Sequence, residues 1–316
     1  MAWLLRRVGI SLALIWVVAS IVFLAIHLVP GDPAELLLSQ GGASPDPAIV
    51  ADLRDQLGLN RPILVQYADS LWRLLHFDLG HSMQDDSPVG DEIARRLPRT
   101  LELIVAAAIL AVVVGIPAGT VAATRRGSVF DRIAGWLAGL SLAVPVFVVG
   151  TLLVMVFAQW LRWVPAGGYV AFATDPARHL LLLSMPAITI GLGLAAVMFR
   201  MTRAAVLDVM LKDYVRTARA KGVAPRRVLV RHVVRTALMP VVTVLALHMG
   251  TLLGGTVLVE YVFNWPGLSG LLVSAVNGRD YPEVVGIVLV ISILFVALNL
   301  AVDILYGLLD PRVRRG

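Results

Sequence analysis

Ten Lys and Arg residues crowd one segment, at positions 200, 203, 212, 216, 219, 221, 226, 227, 231 and 235, against two acids, Asp208 and Asp213. In its middle stands Asp213-Tyr-Val-Arg-Thr-Ala-Arg-Ala-Lys-Gly222, followed by Val223-Ala-Pro225. Tyr214, Val215 and Ala218 share one face of a short helix. Gly222 is placed to end that helix, and Pro225 suits the first turn of the next. Arg227, Arg231 and Arg235 then form an i, i+4, i+8 stripe suited to anionic headgroups. Such residues grip; they do not break bonds. A short cationic helix of this kind is built to be held by something soluble.

Bond-breaking chemistry finds no foothold elsewhere. There is no Gly-x-x-x-x-Gly-Lys-Ser/Thr to cradle a nucleotide, and neither a Ser/His/Asp set nor His-Glu-x-x-His to support hydrolysis. No catalytic residue is assigned. His76 and His81 lie five apart around Gly80 without a third ligand, so no metal site is expected. His248 stands in an apolar stretch and calls for a hydrogen-bond partner. Asp303, an acid inside an apolar run, is a functional candidate by default, or else a partner for Arg200 or Arg203. With no cysteine among 316 residues, disulfides and thiolate metal sites are excluded.

These residues must be positioned by a membrane protein. The chain is 58% hydrophobic and 15% charged, with a mean hydropathy of +0.83, more apolar surface than a soluble domain of this size can hide. Six apolar runs are long enough to cross a bilayer, near 8–29, 99–122, 134–158, 180–199, 237–258 and 284–306, each about 20 residues or more. The expected class is an all-α integral membrane protein of six spans. With the N-terminus inside, the inner segments hold 18 cations against four acids and the outer ones nine against 16. That asymmetry predicts both termini in the cytoplasm. The first span follows Arg6-Arg7, exceeds a signal peptide's apolar stretch and lacks a small-residue cleavage site, so it reads as an uncleaved anchor.

Two regions follow from this layout. Residues 1–98 form an anchor helix with an acidic extracytoplasmic helical segment, and residues 99–316 a five-helix core with the basic loop 200–236. After the turn-rich Leu28-Val-Pro-Gly-Asp-Pro33, Ser44-Pro-Asp-Pro-Ala opens a helix carrying Ile49, Leu53 and Leu57. A second amphipathic stretch runs from Ile63 to Leu75 and closes at Gly80. Both either pack on the spans or form a landing surface for an outer partner. Pro145 predicts a kink in the third span. Pro186, Gly191 and Gly193 predict a short, pliable fourth. Gly250 and Gly254 give the fifth a small-xxx-small face for close helix approach. Trp160 to Tyr169 supplies aromatic residues suited to an interface.

The frame Arg216-Thr217-Ala218, three residues, Gly222 resembles the Glu-Ala-Ala-x-x-x-Gly loop of binding-protein-dependent ABC importer permeases, with Arg in place of Glu and Met239-Pro240 for the later Leu-Pro. Both departures are similar to the dipeptide, oligopeptide and nickel branch. So are Phe77-Asp-Leu-Gly-His-Ser82, Pro88-Val, Arg96-Leu-Pro-Arg-Thr-Leu-Glu-Leu103, Glu260-Tyr-Val-Phe-Asn-Trp-Pro-Gly-Leu268, Asn277-Gly-Arg-Asp-Tyr-Pro-Glu283 and the ending at Asp310-Pro-Arg. The resemblance runs through nearly the whole chain. It implies a type I ABC importer permease fold in the bacterial inner membrane. It implies a second, similar permease, two ATPase subunits that hold the ATP and Mg this chain does not bind, and an extracytoplasmic substrate-binding protein; nucleic acid is no partner. The implied cargo is di- or oligopeptide, with nickel or a metal chelate as the alternative. A stand-alone secondary transporter would show inverted halves, and none is read. Coupling to the ATPases would fall to Asp213, Tyr214, Val215, Arg216, Thr217, Ala218 and Gly222. Glu260, Asn264, Trp265, Asp280 and Tyr281 would form an extracytoplasmic docking or gate surface.

Overall fold

The computed structural model describes residues 2–28, 46–56, 60–76 and 78–309. The exit turn at 29–33, Ser44, Leu57, Phe77 and the Asp310-Pro-Arg ending lie outside the described residues. So does the side chain of Asp303.

Among the described residues the elements are helical: α1 Ala2–Leu28, α2 Pro47–Gln56, α3 Ile63–Leu75, α4 Val89–Thr124, α5 Val129–Ala143, α6 Val146–Leu153, α7 Pro176–Met210, α8 Asp213–Ala220, α9 Arg235–Gly255, α10 Val257–Val262, α11 Leu268–Asn277 and α12 Tyr281–Leu309. Two stretches, Val154–Trp160 after α6 and Val228–Val234 before α9, coil more widely, as π-type turns. Five helices are long and apolar enough to cross a membrane, or six spans if α5 and α6 count as one bent pair.

That bent pair is sharper than a kink. The axis turns by 104° between Ala143 and Val146. A proline crowds the residue before it out of the helical region, and Val144 accordingly sits at φ −86°, ψ 127°. Pro145 also brings no N–H to continue the ladder, so α5 stops and α6 starts afresh. The fourth span departs from expectation the other way. Helix α7 is unbroken for 35 residues and contains a buried Pro186. Asp175 caps it, accepting the Arg178 N–H at 3.0 Å, with Pro176 in the first turn. Its far end carries Thr202, Val206 and Val209 into the core, which extends the helix through residues whose charged neighbours read as loop.

The chain divides into two units, Met1–Pro98 with Leu268–Leu300, and Arg99–Gly267 with Ala301–Gly316. In the first, Val89 and Ile93 pack with Leu268, Leu271, Ala275 and Ile287. In the second, α7 is the central pillar. Gly115 and Gly119 of α4 let it approach closely: a Cβ at Gly115 would stand 2.7 Å from the Ala195 carbonyl oxygen, and one at Gly119 2.6 Å from that of Phe199. Here is the small-xxx-small face that brings two helices together. Asp131 of α5 takes both Nε and Nη2 of Arg203 on α7, at 2.6 and 2.9 Å. Arg203 is thus held by Asp131; the expected pairing of Asp303 with Arg200 or Arg203 falls on a side chain outside the described residues.

Candidate functional site

Helix α8 begins at Asp213, where a carboxylate complements the positive end of the helix. It ends in a double clasp. The Gly222 N–H donates to the Arg219 carbonyl at 3.0 Å, and the Val223 N–H to the Ala218 carbonyl at 3.2 Å. This Schellman arrangement requires a left-handed residue at its turn, and Gly222 supplies it at φ +76°. Pro225 then opens the next helical turn.

One face of this eight-residue helix is anchored. Val215 is fully buried among Val206 and Val209 of α7, Val228 and Val233 of the wide turn, and Ala237 of α9, with Ala218 and Val223 at the edge. Tyr214 does not share that face; it is nearly half exposed beside Arg216, Thr217 and Arg219. One side chain of separation is enough, because adjacent helical residues diverge by about 100°. The Arg216–Asp213 pair spans 3.8 Å between exposed side chains and is worth little. What the arrangement offers is mechanical. Force applied to the exposed cationic side of α8 would be passed, through Val215, to the ends of both α7 and α9.

Five further residues were singled out by sequence, three from the 260s and two from the 280s. Glu260 is buried and accepts the Thr100 hydroxyl at 2.8 Å and that of Thr256 at 3.3 Å. A Cβ on Gly267 would overlap its carboxylate, so a glycine is required there. Trp265 is also buried, its indole N–H donating to the Arg99 carbonyl at 3.0 Å. Asn264 is exposed at φ +47°. Tyr281 is partly exposed. Asp280 is fully buried: it caps α12 through the Glu283 N–H at 3.2 Å and holds the Met83 N–H at 3.0 Å and the Ser82 hydroxyl at 2.5 Å. Glu260, Trp265 and Asp280 therefore shape loops from within; of the five, Asn264 is exposed and Tyr281 partly so.

The loop held by Asp280 is compact. Ser82 Oγ also accepts the Gln84 N–H at 3.1 Å, and the Ser82 N–H donates to the Ser87 carbonyl at 2.8 Å. The Ser87 side chain, then the Ser87 N–H and the Ser82 hydroxyl, hold the Asp85 carboxyl below its ordinary range.

Sequence reasoning missed two polar centres. His179, buried in α7, donates its Nδ1–H to the Val170 carbonyl at 2.7 Å. Its Nε2 lies 2.8 Å from Glu102 Oε1 but off hydrogen-bond alignment, and Tyr169, Phe172 and Trp265 set ring edges around it. No local pattern announces this contact. The Ser82–Asp280 tie was partly readable, since Asp280-x-x-Glu283 is a helix-start signature. Among the described residues no group of His, Asp and Glu could hold a metal ion.

Comparison with known proteins places this geometry. The family model for the binding-protein-dependent transport system inner membrane component matches residues 115–315, and its N-terminal companion matches 1–104. A dipeptide transport system permease protein of Escherichia coli (strain K12) is 39% identical, covering 99% of this chain and 98% of its own. A glutathione transport system permease protein of Salmonella choleraesuis (strain SC-B67) is 41% identical over the same shares. Among solved structures, an inward-facing conformation of the MetNI methionine ABC transporter superposes with a TM-score of 0.57 at 17% identity, covering 69% of this chain and 96% of that one. That last likeness concerns the fold.

Proposed function

The chain belongs to the family of binding-protein-dependent transport inner-membrane components, as a permease subunit of an ABC importer, and from that premise we propose what it carries and how it is driven. The cargo is a di- or oligopeptide handed over by an extracytoplasmic binding protein. The observation that carries this reading is full-length similarity, at 39% and 41% identity, to permeases named for a dipeptide and for glutathione, itself a small peptide.

The chain works beside a second, similar permease and two ATPase subunits, which bind ATP and Mg. Both termini and α8 face the cytoplasm, an orientation supported by the charge asymmetry. Nucleotide-driven closure of the ATPases moves Asp213, Tyr214, Arg216, Thr217 and the rest of α8, and Val215 passes that movement to α7 and α9. The cap at Gly222 keeps the lever rigid. Asn264 and Tyr281 meet the binding protein, with Glu260, Trp265 and Asp280 holding the loops that present them.

The test is reconstitution of this chain with its ATPases, sister permease and binding protein in liposomes. ATP-dependent uptake of a labelled dipeptide is expected, and omission of this chain should abolish it. Uptake of nickel without uptake of any peptide would overturn the cargo assignment. Uptake that ignores ATP would overturn the drive.

A further inference from the structure

Helix α3 (Ile63–Leu75) is two-faced. Gln66, Asp69 and Arg73 share one side, where Asp69 holds Arg61 at 3.0 Å. On the other side Leu64, Trp72 and Leu75 are 77%, 65% and 73% exposed, a continuous apolar stripe. Between the two faces stands Tyr67. Its hydroxyl lies 2.6 Å from Ser20 Oγ of α1, and its ring meets Phe23 edge-on at 5.3 Å. Ser20 spends its own hydrogen on the Trp16 carbonyl at 2.8 Å, so Tyr67 is the donor.

The depth of Ser20 decides what covers the stripe. It stands twelve residues beyond Val8 and eight before the end of α1 at Leu28, which is about 18 Å and about 12 Å along the axis. The apolar run of α1 matches a hydrocarbon layer of roughly 30 Å, with Ser20 in its C-terminal half. The contacts of Tyr67 with Ser20 and Phe23 therefore set α3 alongside that run and not beyond its end. The exposed apolar surface of α1 at Val17, Ile21 and Leu24 continues beside it.

We propose that α3 is an interfacial helix lying in the leaflet near the C-terminal end of α1, with Leu64, Trp72 and Leu75 among phospholipid acyl chains. Asp69 and Arg73 face the headgroups and water, Trp72 sits where indoles favour the boundary, and the aliphatic stem of Arg73 lets its charge reach outward. Only the polar side of α3 is then open to a soluble partner, which narrows any landing surface formed by this segment.

The natural chain has no cysteine, so Leu64→Cys, Leu75→Cys and Asp69→Cys each carry a single thiol for a nitroxide label. The assembled importer is placed in phospholipid vesicles, and label collisions are compared for oxygen, which concentrates in acyl chains, and for a water-soluble nickel chelate. Positions 64 and 75 should favour oxygen several-fold, and position 69 the chelate. A chelate preference at 64 and 75 would put the stripe in water. Exclusion of both reagents would put it under another protein subunit; either result overturns the proposal. In addition, Trp72→Phe should remove a component of the tryptophan emission that bromine-bearing acyl chains quench, and removal of an unquenched component counts against the lipid contact.

Discussion

Ser82 Oγ donates to Asp280 Oδ2 at 2.5 Å, a bond between residues 198 positions apart that fastens an irregular loop to the start of a long apolar helix. The carboxylate serves twice, since its second oxygen caps that helix at the Glu283 N–H. Asp280→Ala removes a cap and leaves the Ser82 hydroxyl and Met83 N–H without their acceptor. Loss of the cap alone costs about 1 kcal/mol, and each charge-assisted bond roughly 1.5–3 kcal/mol more in buried surroundings. The expected outcome is a lowered melting temperature in detergent together with faster protease cleavage between Leu79 and Pro88. An unchanged cleavage rate would show that the loop holds itself.

Gly222 tests the lever. Gly222→Ala asks an L-residue to adopt φ +76° in open space, a strain of about 1–2 kcal/mol and no collision. Gly222→Pro cannot adopt that φ at all and deletes the N–H that Arg219 accepts. Alanine should leave most uptake in place. Proline should leave membrane insertion and basal ATP hydrolysis intact while uptake fails. Equal uptake in the two variants would remove α8 from the coupling path.

Much of this was legible beforehand, for physical reasons that differ from place to place. Spans announce themselves because a bilayer demands a long apolar run. The turn at Gly222 and the start at Pro225 announce themselves because few residues satisfy those backbones. What escaped is tertiary. Gly115-x-x-x-Gly119 carries a small-xxx-small pattern, but its packing against Ala195 and Phe199 is written in no local signal. Arg200, Arg203 and Asp208 made 200–210 look like loop, although Thr202, Val206 and Val209 on the other face continue α7 into the core. The size of the break at Pro145 could not be read either, because apolar residues flank it on both sides.

The close crossing of α4 and α7 yields a contrast between glycines. Gly119→Ala sets a Cβ 2.6 Å from the Phe199 carbonyl oxygen and 2.9 Å from Thr202 Cβ, against backbone that cannot step aside. Overpacking of this kind costs about 1–3 kcal/mol. Gly193→Ala, in the same helix as Phe199, meets nothing within 4 Å. Helix propensity there favours alanine by about 1 kcal/mol. Thermal unfolding in detergent should separate the two variants in opposite directions, and a shared direction would mean that the crossing is looser than a 2.6 Å approach requires.

The pair between Asp131 and Arg203 joins α5 to α7 with two parallel bonds, at 2.6 and 2.9 Å. Such fork geometry belongs to Arg and not to Lys. The Asp131 carboxylate is buried at 8% exposure, while Arg203 keeps 32% of its side chain accessible. Removing one partner of a fully buried pair costs about 3–5 kcal/mol, and the partial exposure here lowers the expectation to about 2–3 kcal/mol for Asp131→Asn. Asp131 also accepts the Gly127 N–H at 2.9 Å, so its loss loosens the turn between α4 and α5 as well. Arg203→Lys keeps the charge and that turn but loses the fork, and should destabilise less. A double-mutant cycle over Asp131→Asn and Arg203→Gln separates the two contributions. A coupling near zero would assign the whole effect to the turn.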